Sequence, residues 1–264
     1  MTIAITTGFT RNHITTTPHA LRILVLNLMP TRAVTEQQIV AALATTGTDL
    51  TITFAVPGTH HIRNHAAAVH AAYPTLDELT DQYFDGLIVT GAAIDRLAFN
   101  DIDFWPEFQR FIAWRRSHVN HSLFLCWGAY AALHLDNVAD GHQVTHKIYG
   151  VYTTNGITMP HSRYFTIPTN SVRTGKVVAG DDRIGATIVT NTALRSTYVT
   201  GHLEYWTGTL ASEFHRDRHR GLRIAPPAHY FDPNLRPVNS WRHDTTKFYR
   251  QWLQQLTPQE VAHD

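Results

Sequence analysis

The chain has 264 residues, 22 Lys and Arg against 21 Asp and Glu, and a formal net charge of +1. Near-neutrality excludes the electrostatic footprint of a nucleic-acid binder or a basic membrane patch, and the length is enough to bury a core. A single cysteine excludes an intrachain disulfide framework or CxxC metal site, and no apolar run approaches the ~18 residues of a membrane span.

In chain order, residues 1–20 are Thr-rich and weakly patterned, and read as a loose N-terminal arm before one domain over 21–264. Residues 22–28 are a nearly continuous apolar run, as expected of a strand covered on both faces. Thr35 and Gln38 have capping-box spacing, which predicts a helix from Thr35 to Gly47. Residues 50–56 alternate as a second strand and 84–90 make a third, ending in Gly91-Ala92. Residues 104–114 have helical spacing, 123–125 read as a buried strand, and 129–135 open a helix. Strand and helix alternating in this way predict an α/β open sheet, parallel at its centre with helices on both faces. After it, residues 147–152, 164–167, 176–179, 185–189 and 196–200 are short and β-rich, which predicts additional antiparallel or mixed strands. Residues 210–219 and 246–256 read as helices.

Cys126 sits between the strand at 123–125 and the helix that follows, on a Trp127-Gly128 turn. A thiol there projects toward a crevice, and the helix N-terminus favours the nucleophilic thiolate. The G-x-S-x-G elbow uses this geometry for serine, although Phe124 occupies the place of its first glycine. On this stretch alone, a nucleophile and a small buried hydrophobe are both open readings.

His202 and Glu204 follow a β-rich run, and residues two apart in an extended segment face the same side. The carboxylate would orient the imidazole, completing a nucleophile, a base and a group that fixes the base's tautomer. Taken alone, His-x-Glu is more often structural. An oxyanion hole needs backbone N–H groups; Trp127 offers one, and the Thr90-Gly91-Ala92 turn a second. The eighteen histidines show no HExxH-type spacing, so no metal is expected.

The motifs at residues 26–30, 84–92, 126–129, 160–164, 201–205 and 241–242 occur in an order and spacing that resembles the homoserine O-acyltransferase family, over roughly residues 22–255. That family is similar in fold to class I glutamine amidotransferases, so a flavodoxin-like, amidotransferase-like sheet is implied. The resemblance further implies a ping-pong acyl transfer. Cys126 would hold the acyl group as a thioester, and His202, oriented by Glu204, would deprotonate the acceptor hydroxyl. Lys147, Ser162 and Arg216 match the family's substrate-binding positions; Arg suits an amino-acid carboxylate because it grips bidentately. Asp95 falls where a carboxylate goes with acetyl-CoA and glycine with succinyl-CoA. A second carboxylate about 4 Å away costs roughly 4 kcal/mol at an effective dielectric near 20, which argues against a succinyl group.

The expected activity is therefore transfer of acetyl from acetyl-CoA to L-homoserine for methionine biosynthesis, in the cytoplasm, with no tightly bound cofactor. The expected partners are small molecules, with a homodimer implied by the family and neither nucleic acid nor membrane. The alternatives are L-serine as acceptor, leading to cysteine, succinyl-CoA as donor, a glutaminase or amidotransferase, and a binding module. The chain departs from the family pattern at Ala93, Tyr130 and Leu203, and in a short tract between Lys147 and Pro160. That trimmed tract bears on the choice between homoserine and serine, which differ by one methylene.

Overall fold

Apolar residues that alternate between two faces give the molecule its layers. A computed structural model describes residues 1–256; residues 257–264, the end of the predicted domain, lie outside them. The chain runs β1 (Ile3–Ile5), β2 (Leu21–Leu26), α1 (Arg32–Ala44), β3 (Leu50–Ala55), α2 (Ala66–Ala72), β4 (Phe84–Val89), α3 (Trp105–His118), β5 (Val119–Leu125) and α4 (Trp127–Leu135). It continues through β6 (His142–Thr154), β7 (Ile157–Thr166), β8 (Lys176–Asp181), β9 (Gly185–Asn191), β10 (Ser196–Val199), α5 (Thr209–His219) and α6 (Arg242–Gln254).

Eight strands form one sheet in the order β1-β3-β2-β4-β5-β10-β9-β8. It is parallel as far as β10 and antiparallel at β9 and β8. Leu24, Leu26, Leu87, Val89 and Phe124 bury on one face against Phe108 and Ile112 of α3 and Leu133 of α4. Their strand neighbours Ile23, Val25, Ile88, Leu123 and Leu125 bury on the other, with Ile39 and Leu43 of α1 and Trp252 and Leu253 of α6. Both faces of the central strands are dry, which is why the β2 segment reads as a continuous apolar run. Each such side chain contributes roughly 1.5–3 kcal/mol on burial. This is the open α/β sheet that the chain order predicts.

Two local expectations need correction. The first helix begins at Arg32 rather than Thr35. Thr35 Oγ1 donates to the Thr31 carbonyl (3.3 Å) and Gln38 Nε2 to Thr209 Oγ1 (2.8 Å), so this pair forms no capping box. Residues 1–20 are also not loose throughout. Ile3–Ile5 add a parallel edge strand beside β3, and Glu36, buried on α1, fastens the segment that follows. Its carboxylate accepts the Phe9 N–H (3.2 Å), the Thr10 N–H (2.8 Å), the Thr10 hydroxyl (2.7 Å) and the Tyr73 hydroxyl. Burial and then the Glu36 hydrogen bond push the Tyr73 hydroxyl well above its ordinary pKa, which keeps it a donor. A buried carboxylate is tolerated because these donors replace water.

The tract between Lys147 and Pro160 folds as an antiparallel hairpin of β6 and β7. Asn155 and Gly156 make its turn with φ of 49° and 76°, the positive values that a type I′ turn demands. Pro160 is accommodated because a two-stranded ribbon has only edge strands. Among the described residues, no helix is long and apolar enough to cross a membrane.

Replacing Glu36 by Ala leaves the arm's donors without their acceptor. A loss of about 2–4 kcal/mol in urea-unfolding stability is expected. A loss below about 0.5 kcal/mol, the size of a neutral surface change, would show that the carboxylate does not hold the arm.

Candidate active site

Three adjacent parallel strands, β4, β5 and β10, end at one edge of the sheet and deliver the Thr90-Gly91-Ala92 turn, Cys126 and His202. Cys126 has φ 48° and ψ −114°, outside the regions an L-residue prefers. Its N–H donates to the Val199 carbonyl at 2.7 Å, which ties the elbow to β10. Two glycines make room. A Cβ on Gly128 would stand 2.8 Å from the Thr90 carbonyl oxygen, so the first turn of α4 lies directly against the end of β4. A Cβ on Gly91 would stand 3.2 Å from Cys126 Cβ and 3.3 Å from His202 Cε1.

His202 and Glu204 converge from a turn rather than from an extended segment, with the Tyr205 N–H directed back to the His202 carbonyl at 3.4 Å. Distant elements pin that turn. The His202 N–H donates to Pro160 O of β7 at 2.8 Å, and Thr245 Oγ1 of α6 donates to Leu203 O at 2.7 Å. The Trp241 indole N–H donates to Tyr205 O at 3.0 Å, which gives the Trp241-Arg242 motif a physical role. Glu204 Oε1 lies 2.7 Å from His202 Nδ1, and both side chains are buried. The Cys126 side chain stands beside the same ring, its Cβ and His202 Cε1 lying 3.2 and 3.3 Å from one position, a Cβ on Gly91; with Nδ1 engaged, Nε2 is the nitrogen left for sulfur. Burial opposes a charged ring. The negative charges of Cys126 (as thiolate) and Glu204 outweigh it and hold His202 well above its ordinary value of 6.5.

A cavity of about 370 Å³ opens over the thiol. Cys126, His202, Gly91 and Ala92 line it, as do Asp95, Lys147, Ser162 and Arg216. Two predicted residues do not. Glu204 stands behind His202, and the Trp127 indole is buried among Phe99, Phe104 and Phe108, so of Trp127 only the backbone remains for the expected oxyanion role. The N–H groups of Trp127, Gly91 and Ala92 donate to no other described residue. The Asp95 carboxylate accepts the Tyr164 N–H at 2.6 Å. Burial raises its pKa, against the pull of that N–H and of Lys147 and Arg96.

The cavity also holds residues that sequence reasoning missed. Asp217 ties together both predicted substrate-binding cations: Lys147 Nζ lies 3.1 Å from Oδ2 and Arg216 Nε 2.8 Å from Oδ1. Burial would raise the Asp217 pKa, but the Arg216 and Lys147 contacts bring it below the usual value. Glu213 accepts the Ser162 hydroxyl (2.6 Å) and the Tyr205 hydroxyl (2.8 Å). Helical spacing was the available signal, because residues 213, 216 and 217 share one face of α5. Outside the cavity's lining, Arg163, next to Ser162, is fully buried and donates to Phe165 O and Ile184 O. Burial pushes its guanidinium pKa to about 10, opposed by the charges of Cys126, Tyr152 and Asp95. Among the described residues, no group of three His, Cys, Asp or Glu could hold a metal ion.

Because the His202 value is raised on folding, its pairing adds stability that is full below about pH 6.5 and is lost as pH climbs through the raised value. Replacing Glu204 by Gln removes one anionic neighbour. The His202 ring titration, followed by its Cε1–H NMR resonance, is expected to fall by about one unit or more. An unmoved titration would show that the carboxylate does not govern the ring.

Comparison with known proteins places this geometry. The model of the homoserine O-succinyltransferase family matches residues 10–263. A homoserine O-acetyltransferase of Leuconostoc mesenteroides is 40% identical over 245 residues, covering 88% of this chain and 80% of its own. One from Streptococcus thermophilus is 34% identical over 264 residues, covering 92% and 84%. Among solved structures, a glutamine amidotransferase from Thermotoga maritima superposes with a TM-score of 0.55 at 11% identity, covering 90% of this chain and 96% of that one. One from Methylobacillus flagellatus gives 0.52 at 11% identity, covering 90% and 92%. At such identities the likeness is one of fold, the class I glutamine amidotransferase-like sheet. The family match over nearly the whole length establishes descent: this chain belongs to the homoserine O-succinyltransferase family, a family of homoserine acyltransferases.

Proposed function

We propose that the chain moves an acetyl group from acetyl-CoA, through a thioester on Cys126, to the side-chain hydroxyl of L-homoserine. The observation that carries this reading is the buried His202, held by Glu204 at 2.7 Å through Nδ1 and facing the same cavity as the Cys126 thiol beside it. Such a pair supplies a thiolate and an adjacent imidazolium without any further cofactor.

In the first half-reaction, Cys126 Sγ attacks the acetyl carbonyl. The N–H groups of Trp127 and of the Gly91-Ala92 turn stabilise the oxyanion. The CoA sulfur leaves with the proton that His202 Nε2 gives up. In the second, neutral His202 takes the acceptor's hydroxyl proton through Nε2 as that oxygen attacks the thioester. Collapse then expels Cys126 as the thiolate, beside an imidazolium once more. Arg216, whose guanidinium is partly exposed in the cavity, takes the acceptor's carboxylate. Lys147 and Ser162 complete its binding surface.

Two relatives named homoserine O-acetyltransferase support both the acceptor and the donor. Asp95 supports the donor independently, because its carboxylate lies in the cavity that must receive the acyl group. L-Serine is the competing acceptor, and one methylene is worth about 1–3 kcal/mol of discrimination. The product, O-acetylhomoserine, is an activated alcohol suited to displacement by a sulfur nucleophile, as methionine synthesis requires.

Incubation with acetyl-CoA followed by intact-mass measurement is expected to show one acetyl adduct on the wild type and none on Cys126→Ala. Absence of the adduct on wild type at every pH would defeat the mechanism. Kinetics with both acyl-CoAs test the donor. Asp95→Gly is expected to raise the succinyl-to-acetyl ratio of kcat/KM at least about tenfold, within the thousandfold that a ~4 kcal/mol repulsion allows. A wild-type succinyl rate equal to the acetyl rate would overturn the donor assignment.

A further inference from the structure

One face of α6 runs along the turn that carries His202 and Glu204. Trp241, at the start of the helix, Thr245 and Tyr249 are spaced so that their side chains follow one another along it. The first two grip backbone carbonyls of the turn, Trp241 at Tyr205 O (3.0 Å) and Thr245 at Leu203 O (2.7 Å). Tyr249 is the third. It is fully buried, in the apolar cluster that contains Leu203. Its hydroxyl has no hydrogen-bond partner among the described residues, and neither has Glu204 Oε2.

Buried polar atoms without partners are rare and costly. These two are complementary. Glu204 Oε1 is taken by His202 Nδ1 at 2.7 Å, which leaves Oε2 as an acceptor, and a tyrosine hydroxyl is a donor. We infer that one buried water bridges the Tyr249 hydroxyl and Glu204 Oε2, which makes Tyr249 a positioning residue for the base. This rests on the roles given to His202 and Glu204 under the proposed function.

The Tyr249 O–H donates to the water, and the water donates to Oε2. Burial first, and then the Glu204 charge, hold the Tyr249 pKa well above its ordinary value, so the hydroxyl keeps the proton it must donate. That charge is felt at the hydroxyl although the two groups make no direct hydrogen bond, a separation that a single water spans. A cavity of about 390 Å³, lined by Leu203, Glu204, Trp206, Arg242 and Thr245, opens against the same turn and brings solvent to its back.

With Oε1 on the ring and Oε2 on the water, the carboxylate cannot rotate without losing one of them. The bridge also shares the carboxylate's charge. It stabilises Glu204 most when His202 is neutral, and so moderates the pull that keeps the ring protonated. His202 is thereby kept closer to the neutral form that takes the acceptor's proton.

The test has two arms. A high-resolution crystal structure of the wild type is expected to show one ordered water within about 3.2 Å of both Tyr249 Oη and Glu204 Oε2. Finding no ordered water between them would overturn the inference, whatever the variants do. In the second arm, Tyr249→Phe keeps the ring and removes the donor. The His202 Cε1–H titration is expected to rise by about half a unit or more, opposite in sign to the effect of Glu204→Gln. The same substitution in a Glu204→Gln background is expected to leave the titration in place, because the bridge acts through the carboxylate. A titration that falls or stays in the single variant, or that moves equally in both backgrounds, would leave Tyr249 a packing residue and overturn its positioning role. Intact mass after incubation with acetyl-CoA separates this from the parent reading. A wild type without an acetyl adduct refutes the acyl-transfer mechanism, and a normal adduct with no water and no shift refutes only the bridge.

Discussion

Everything at the site depends on how closely three strand ends approach one another. Cys126 reaches His202 across a position, residue 91, that carries no side chain, and its helix begins against a β4 end that a Cβ on residue 128 would strike. The approach is made rigid from behind. Thr90 Oγ1 accepts the Leu28 N–H at 2.9 Å and donates to the Gly91 carbonyl at 2.8 Å, so the ends of β2 and β4 move as one. The positive φ of Cys126 is therefore a consequence of packing, held by the Val199 hydrogen bond and by the buried helix that follows. A strained residue is retained because its surroundings leave it no alternative.

The second constraint is charge. The cavity and the layer beneath it hold Lys147, Arg163, Arg216, Asp95, Glu213, Asp217 and the Cys126–His202–Glu204 set, several of them buried. Burying an ion is costly unless a partner is fixed nearby. Asp217 meets that requirement for two cations at once, which also stops either from swinging freely. Arg163 meets it differently, with carbonyl acceptors as direct partners and the charges of Cys126 and Asp95 nearby. Groups immobilised in this way need little reorganisation when charge develops on a substrate.

Much of this was legible in the chain. The double-sided burial of β2 and the strand–turn–helix around Cys126 follow from local patterns; His202 and Glu204 do pair, but through a turn and not through the extended segment expected of them. What was not legible depends on contacts between distant segments. Nothing within residues 1–20 announces that a glutamate on α1 will accept their donors. No local spacing tells that Asp217 will face Lys147 across 70 positions. The Thr35–Gln38 pair misled because a capping-box spacing is also met by chance, and here Gln38 reaches α5 instead. The Asn155-Gly156 hairpin is a different kind of omission, because that dipeptide is the strongest short-range turn signal and was present to be read. The motif at residues 241–242 was visible but mute until the indole was seen to hold the Tyr205 carbonyl.

The layout also separates two kinds of selectivity. In the proposed reaction the acyl donor meets the segment after β4, where Gly91, Ala92 and Asp95 lie, while the acceptor meets α5 and the β6–β7 hairpin. These elements come from different parts of the chain and pack on different neighbours, so a change in one leaves the other's backbone in place. Lys147 is the link between them. It pairs with Asp217 on the acceptor side, and its charge reaches Asp95 on the donor side, where it favours the ionised carboxylate. A trimmed hairpin that shifts Lys147 therefore does more than reshape the acceptor's pocket. In the proposed reaction it would also change the electrostatic pull on Asp95, and with it the penalty for a second carboxylate on the donor. In the proposed reaction the acceptor side and the donor side thus share one ammonium group.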